Sequence, residues 1–505
     1  MNIFNKKNIF LLSSKTFYRP PSTLVIPKII NIMNKKNHHR ISRRNFLSQA
    51  SCAAIGSTTL LSTILNMGTA NALAGMAAPI SSANGDYKAM VCILLAGGND
   101  SFNMLVPRNG SHYNEYATTR SNLALPQGDL LPLNYTDANG KQFGLHPSMP
   151  EVQTLFNNNK LAFVSNVGTL VEPISKKQYL NGSVPVPVGL LSHADQIQQW
   201  QTSIPQTRSS KGWGGRIADI LKAGNGNQNI SMNISLSGTN IFQVGETTAE
   251  YAIRAAAGGS VGINTYTGTS ALDQALKQGA ESLLAQQYQD IFKSTFTNKI
   301  NDSQANHIEF STAINQAPNL TTNFSDNPIS ANMELIAKTI AVRDILNVKR
   351  QTFFITFGGW DHHDEVLNNQ VAMLSVVSKA LSEFQAAMEE LNLSDCVTTF
   401  TASDFGRTLT SNGNGSDHAW GGNVMVMGGS VNGGQIYGEY PSLVIGSNDD
   451  VGGAILLPTL STDEYFAELA KWFGVNNGDL SYVLPNIGHF YDVNSERLPI
   501  GFMKV

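Results

Sequence analysis

The chain has 505 residues, with 34 Lys plus Arg against 37 Asp plus Glu and 42% hydrophobic residues. Such a length can bury a sizeable core without disulfides, and beyond the N-terminal region no apolar run reaches transmembrane length. Residues 1–74 hold 10 of the basic residues and no acidic one, leaving 24 basic against 37 acidic downstream; that surplus excludes nucleic acid, which requires basic patches.

In chain order, "SRRNFLSQ" (42–49) comes first, with Arg43-Arg44 followed by a weakly apolar run and "ALA" at 72–74. This pattern predicts a twin-arginine export signal over 1–74, with Met33 as an alternative start, and a periplasmic or secreted protein. A linker (75–87) leads into "KAMVCILLAGGND" (88–100), a continuous apolar run of the kind buried on both faces of a parallel sheet. Similar strands are predicted at 161–168, 229–238, 352–359, 396–402 and 423–429. Helical spacing predicts helices over 334–350 and 371–393, and a last one from 461, where Ser461 and Glu464 fit a capping box. Residues 255–330, rich in Asn, Gln, Thr and Ala, read as a mostly helical insertion. Strand–helix alternation predicts an α/β three-layer sandwich with a mostly parallel central sheet, one domain over 88–505. Cys92 and Cys396 fall in predicted strands and are expected as buried thiols, with a bond between them left open.

Four stretches place Asp or His just after a strand or at a helix start: "AGGND" with Asp100, "LSHADQIQQW" with Ser192 and His193, "FGGWDHHDE" with Asp361 and His363, and "SDFGRTLTSNGNGSDHAWGG" with Asp404, Arg407 and His418. Strand ends of an open α/β sheet are where ligands sit. Singly, each residue has a plainer reading as turn former, N-cap or salt-bridge partner. Together they read as one pocket: four of the eight histidines beyond residue 74 lie in these loops, and four of five tryptophans flank them. Asp361 and His363, two apart on a loop, can ligate one ion; a carboxylate with imidazole suits a zinc-like metal. Arg407 can bind an anion bidentately or pair with a carboxylate. Redox chemistry lacks support, since there is neither a Gly-x-Gly-x-x-Gly opening a helix after a strand nor a Cys-x-x-Cys.

These motifs, with "FGLHPSMPEV", "KGWGGRIAD" and "GGQIYGEYP", stand in the order seen in the exported family called domain of unknown function 1501, which the chain resembles over roughly 88–490. That family resembles the alkaline phosphatase and sulfatase superfamily. The resemblance implies an alkaline phosphatase-like fold and one or two divalent ions held by Asp100, Asp361, His363, Asp404 and His418. It also implies Ser192 as nucleophile at a helix start, with His193 and Arg407 beside it. Phe405 stands where the dimetal members carry His. The expected function is hydrolysis of small anionic phosphate or sulfate esters or modified glycans. The alternative is a non-catalytic exported binding or assembly protein, working with an exported protein partner in surface or polysaccharide processing.

Overall fold

The run Lys88–Ala96 is buried along almost its whole length because it forms the middle strand of a large sheet with helices on both faces. In chain order the strands are β1 (Lys88–Ala96), β2 (Leu105–Pro107), β3 (Leu131–Thr136), β4 (Gln142–Leu145), β5 (Leu161–Gly168) and β6 (Asn233–Ser235). They continue with β7 (Tyr251–Ala252), β8 (Arg350–Gly358), β9 (Val397–Ser403), β10 (Gly422–Gly428), β11 (Ile436–Tyr437) and β12 (Leu460–Ser461). The computed structural model describes residues 86–262 and 269–504, which belong to a unit spanning Thr58–Val505. The segment 1–74 expected as an export signal, with Met33, Arg43 and Arg44, and nearly all of the linker expected at 75–87 lie outside the described residues.

Nine strands form the main sheet in the order β11-β5-β10-β9-β1-β8-β6-β7, with β12 also on β5, while β2, β4 and β3 make a small side sheet. β1 pairs in parallel with β8 and β9, and only β10 runs against its neighbours. The mostly parallel α/β sandwich expected from strand–helix alternation is therefore observed. Successive side chains of β1 feed opposite cores. Ala89, Val91, Ile93 and Leu95 join the core packed by Pro328–Ala341 and Val366–Glu390. Met90, Cys92 and Leu94 join the core packed by Trp213–Leu221 and Thr462–Phe473.

The Ser461–Glu464 capping box is present, and Cys92 and Cys396 are buried thiols. The helix expected at 334–350 is displaced. It starts at Pro328, because Asn327 accepts from the Ile329 and Ser330 amides, and it ends at Ala341. Asn347 then adopts a left-handed conformation and Arg350 opens β8. Likewise the strand expected over 229–238 is only Asn233–Ser235, and the helix expected at 371 begins at Val366. The stretch 255–330 carries the helices Ala271–Leu284 and Ile291–Ile314. No helix among the described residues is long and apolar enough to cross a membrane.

Candidate metal centre

The registers Ala96↔Gly358 and Leu95↔Ser403 end β1, β8 and β9 flush, so the loops that leave them emerge side by side. β10 runs the other way and starts at Gly422, so the connection 404–421 leaves and returns on the same edge, pinned by a bridge between Arg407 and His418. Gly97 and Gly98 take positive φ, and a side chain on either would strike Asp361 and Trp360 or Phe405. Glycine there lets the first loop pass under the other two.

His193, at the start of helix His193–Thr202, enters this edge from the side. Its Nδ1 lies 2.6 Å from Asp404 Oδ2. His418 Nδ1 lies 2.8 Å from the Leu191 carbonyl, and His363 Nδ1 lies 3.1 Å from Asp417 Oδ1. Carbonyls and carboxylates only accept, so each Nδ1 is assigned the proton and each Nε2 is left with a lone pair. All three Nε2 atoms turn to one carboxylate. His193 Nε2 stands 3.4 Å from Asp361 Oδ2, while His363 and His418 stand 3.1 and 3.3 Å from Oδ1. The Nε2 atoms of His363 and His418 are 2.9 Å apart, and one ligand atom each from His193, Asp361 and His418 lie within 4.8 Å of one another. Lone pairs converging on a carboxylate repel unless a cation lies between them.

The donor set fits a divalent metal. His193 Nε2 is buried and makes no hydrogen bond, so it is a ready ligand atom. Two imidazoles and a carboxylate, with a third imidazole touching both, are zinc-type ligands. Each Nδ1–H bonded to an acceptor is the outer arrangement that orients metal-binding histidines. Burial pushes His418 below its ordinary range, which favours the neutral ring. For Asp361, burial pushes upward, but the hydrogen bond and charge of Arg407 hold the carboxyl down at about 2. Burial raises Asp404, against the pull of its His193 and Gly97 hydrogen bonds. Phe405 closes the floor; its ring lies 4.8 Å from His193 and 4.5 Å from His418.

The other expected residues fall elsewhere. Arg407 is fully buried. It bonds the carbonyls of Gly97, Gly98, Trp360 and Ser416 and reaches Asp361 at 2.5 Å, so its role is to fasten loops and hold Asp361 ionised, not to present a free guanidinium. Asp100 is not brought into the ligand set. Its carboxylate pairs with buried Arg120, because the short helix Ser101–Met104 turns the chain inward directly after it. Asp404 touches the set only through His193. Ser192 is the N-cap residue, but its hydroxyl makes no capping bond and interacts with the Asp195 carboxylate. Asp417 orients His363 through Nδ1, a role that no local sequence signal marks; its own amide donates to Thr408 Oγ1 at 2.9 Å where the loop folds back.

No curated protein sequence matches the chain. Among solved structures it is similar to Ps i-CgsB, crystallised with k-i-k-neocarrahexaose, at 10% identity over 80% of this chain and 78% of that one, TM-score 0.32. It is similar to the PsFucS1 sulfatase from Pseudoalteromonas sp. at 12% identity, over 77% and 68%, TM-score 0.31. A third is the soluble domain of lipooligosaccharide phosphoethanolamine transferase A from Neisseria meningitidis, at 9% identity over 78% and 90%, TM-score 0.26. The model of the family described as "Protein of unknown function (DUF1501)" matches residues 87–482, which carry every residue of the cluster, and the chain belongs to that family.

Proposed function

We propose that the chain is an exported, metal-dependent hydrolase of phosphate or sulfate esters. One observation carries this reading: three imidazoles, each tethered at Nδ1, turn Nε2 onto the single carboxylate of Asp361 at the carboxyl edge of the sheet. His193, Asp361 and His418 would hold the ion, with His363 beside them. A divalent ion bound there would neutralise ester oxygens and lower the pKa of a coordinated water. Asp404, Leu191 and Asp417 hold the imidazoles at Nδ1 and aim Nε2 inward, and Arg407 keeps Asp361 charged. Buried Phe405, against His193 and His418, excludes water from below. The export signal expected at Arg43-Arg44 belongs to the same reading.

A second reading, a metal-holding binding or assembly protein without turnover, is favoured by one feature. Arg407 commits its donors to loop carbonyls and Asp361, so it presents no free guanidinium to an ester. The test is metal analysis of protein purified without added metal, followed by assays with aryl phosphate, aryl sulfate and a phosphodiester. Metal at near-stoichiometric level and hydrolysis abolished by Asp361→Ala are expected. Metal-replete protein that cleaves none of the three refutes the hydrolase and leaves the binder.

A further inference from the structure

Helix His193–Thr202 gives the cluster His193 from its first position, yet the turns that follow are polar and buried. Gln196 is fully buried and Gln199 nearly so, and a buried amide side chain is expected to have a bonding task. Both reach the strap 188–192 that leads into the helix. Gln199 Nε2 donates to the Val188 carbonyl, and Gln196 Oε1 accepts the Leu191 amide, each at 2.6 Å. Leu191 has φ +71°, a left-handed conformation that a bulky side chain disfavours. Such a residue persists only where its surroundings over-determine it, and it points to a role. In this conformation the Leu191 carbonyl meets His418 Nδ1 at 2.8 Å. The far side of His418 is tied to the same place. Trp420, two residues on, donates to the carbonyl of buried Thr169 at 2.8 Å, and the Thr169 hydroxyl lies 3.4 Å from Gln196 Nε2.

We infer that Gln196 is a positioning residue: by clamping the Leu191 amide it holds the Leu191 carbonyl on His418 and so aims His418 Nε2 at Asp361. The inference rests on reading the cluster as a metal centre. One helix would then supply His193 directly and orient His418 one turn later, which keeps the two rings edge-on with centroids 4.4 Å apart. Ordinary helix capping does not account for the contact. A capping glutamine stands at the third helical position and returns to the N-cap amide. Gln196 stands at the fourth and reaches past the N-cap Ser192 to the residue before it. That pair of positions usually forms an apolar staple between side chains; here it is a hydrogen bond that fixes a backbone carbonyl.

The test uses the purified full chain and begins without metal. In chelator-stripped wild type, nitrogen NMR should find the His418 proton on Nδ1, and the Leu191 amide should be protected from hydrogen exchange. A freely exchanging Leu191 amide, or a proton on Nε2, overturns the inference with no variant needed. Gln196→Met keeps length and burial but removes the acceptor. It is expected to give a mixed His418 tautomer and Zn²⁺ affinity about 10-fold weaker, the lower end of losses on removing a ligand's outer partner. Asn327→Ala, which removes a cap from helix Pro328–Ala341, lowers stability without touching the strap and should change neither readout. A Gln196→Met protein with wild-type tautomer and affinity overturns the inference, as does an equal loss in Asn327→Ala. If Asp361→Ala binds Zn²⁺ as the wild type does, the metal centre itself falls, and the metal-free NMR alone decides what Gln196 does to His418.

Discussion

Asp404→Asn is the sharpest probe of the imidazole arrangement. The native carboxylate does two things at once: Oδ1 accepts the Gly97 amide at 3.0 Å and Oδ2 accepts His193 Nδ1–H at 2.6 Å. An amide has one oxygen. If that oxygen stays with Gly97, its NH₂ faces His193, whose Nδ1 must become the acceptor; the proton moves to Nε2 and the ligand lone pair is lost. If it turns to His193 instead, two buried donors meet at Gly97, at a cost of about 1–3 kcal/mol. The first outcome removes one of the ion's holders through its orienting partner, a loss that typically weakens metal binding 10–100-fold, or about 1.4–2.7 kcal/mol. The assay is titration with Zn²⁺ against a chelating dye, with exposed Asp364→Asn as control, backed by nitrogen NMR of the His193 tautomer. Affinity unchanged beside the control, with Nδ1 still protonated, would refute the reasoning.

Three further outcomes are expected. Asp463 is fully buried without a complete hydrogen bond, and burial raises it from 3.8 to about 7 despite Ser203 and Arg216 nearby. A raised carboxyl contributes stability that is full below about pH 4 and lost as pH rises through 7. Asp463→Asn should therefore stabilise the fold by about 2–4 kcal/mol at pH 8 and by little at pH 4; denaturant curves showing no pH dependence of the difference would contradict this. Arg120→Met strands the buried Asp100 carboxylate and two carbonyls, and should cost about 3–5 kcal/mol in urea unfolding. Ser192→Ala should leave metal affinity unchanged, because the hydroxyl faces Asp195; a large loss of hydrolysis at constant affinity would instead make it the nucleophile.

The sequence by itself determined the sheet. β1, β5, β8, β9 and β10 are continuous apolar runs closed by glycine or polar residues, and two-sided burial leaves such runs few alternatives. It also marked the loops that carry the cluster, since Asp361, His363, Asp404 and His418 all follow or precede such runs. Helix limits are less legible: the apolar period alone starts Pro328–Ala341 too late, because its start depends on the Asn327 cap, a single side chain outside that period. Tertiary structure alone decided which polar groups meet. Nothing in the spacing says that Asp100 turns to Arg120, twenty residues on, while His193 crosses to Asp404, more than two hundred residues away. Nor does it say that Arg407 spends its donors on four carbonyls and Asp361. Strand runs report local burial, but a ligand set is assembled by the flush ends of β1, β8 and β9 and the reversed β10. Which imidazole nitrogen faces inward is set by acceptors that distant segments supply.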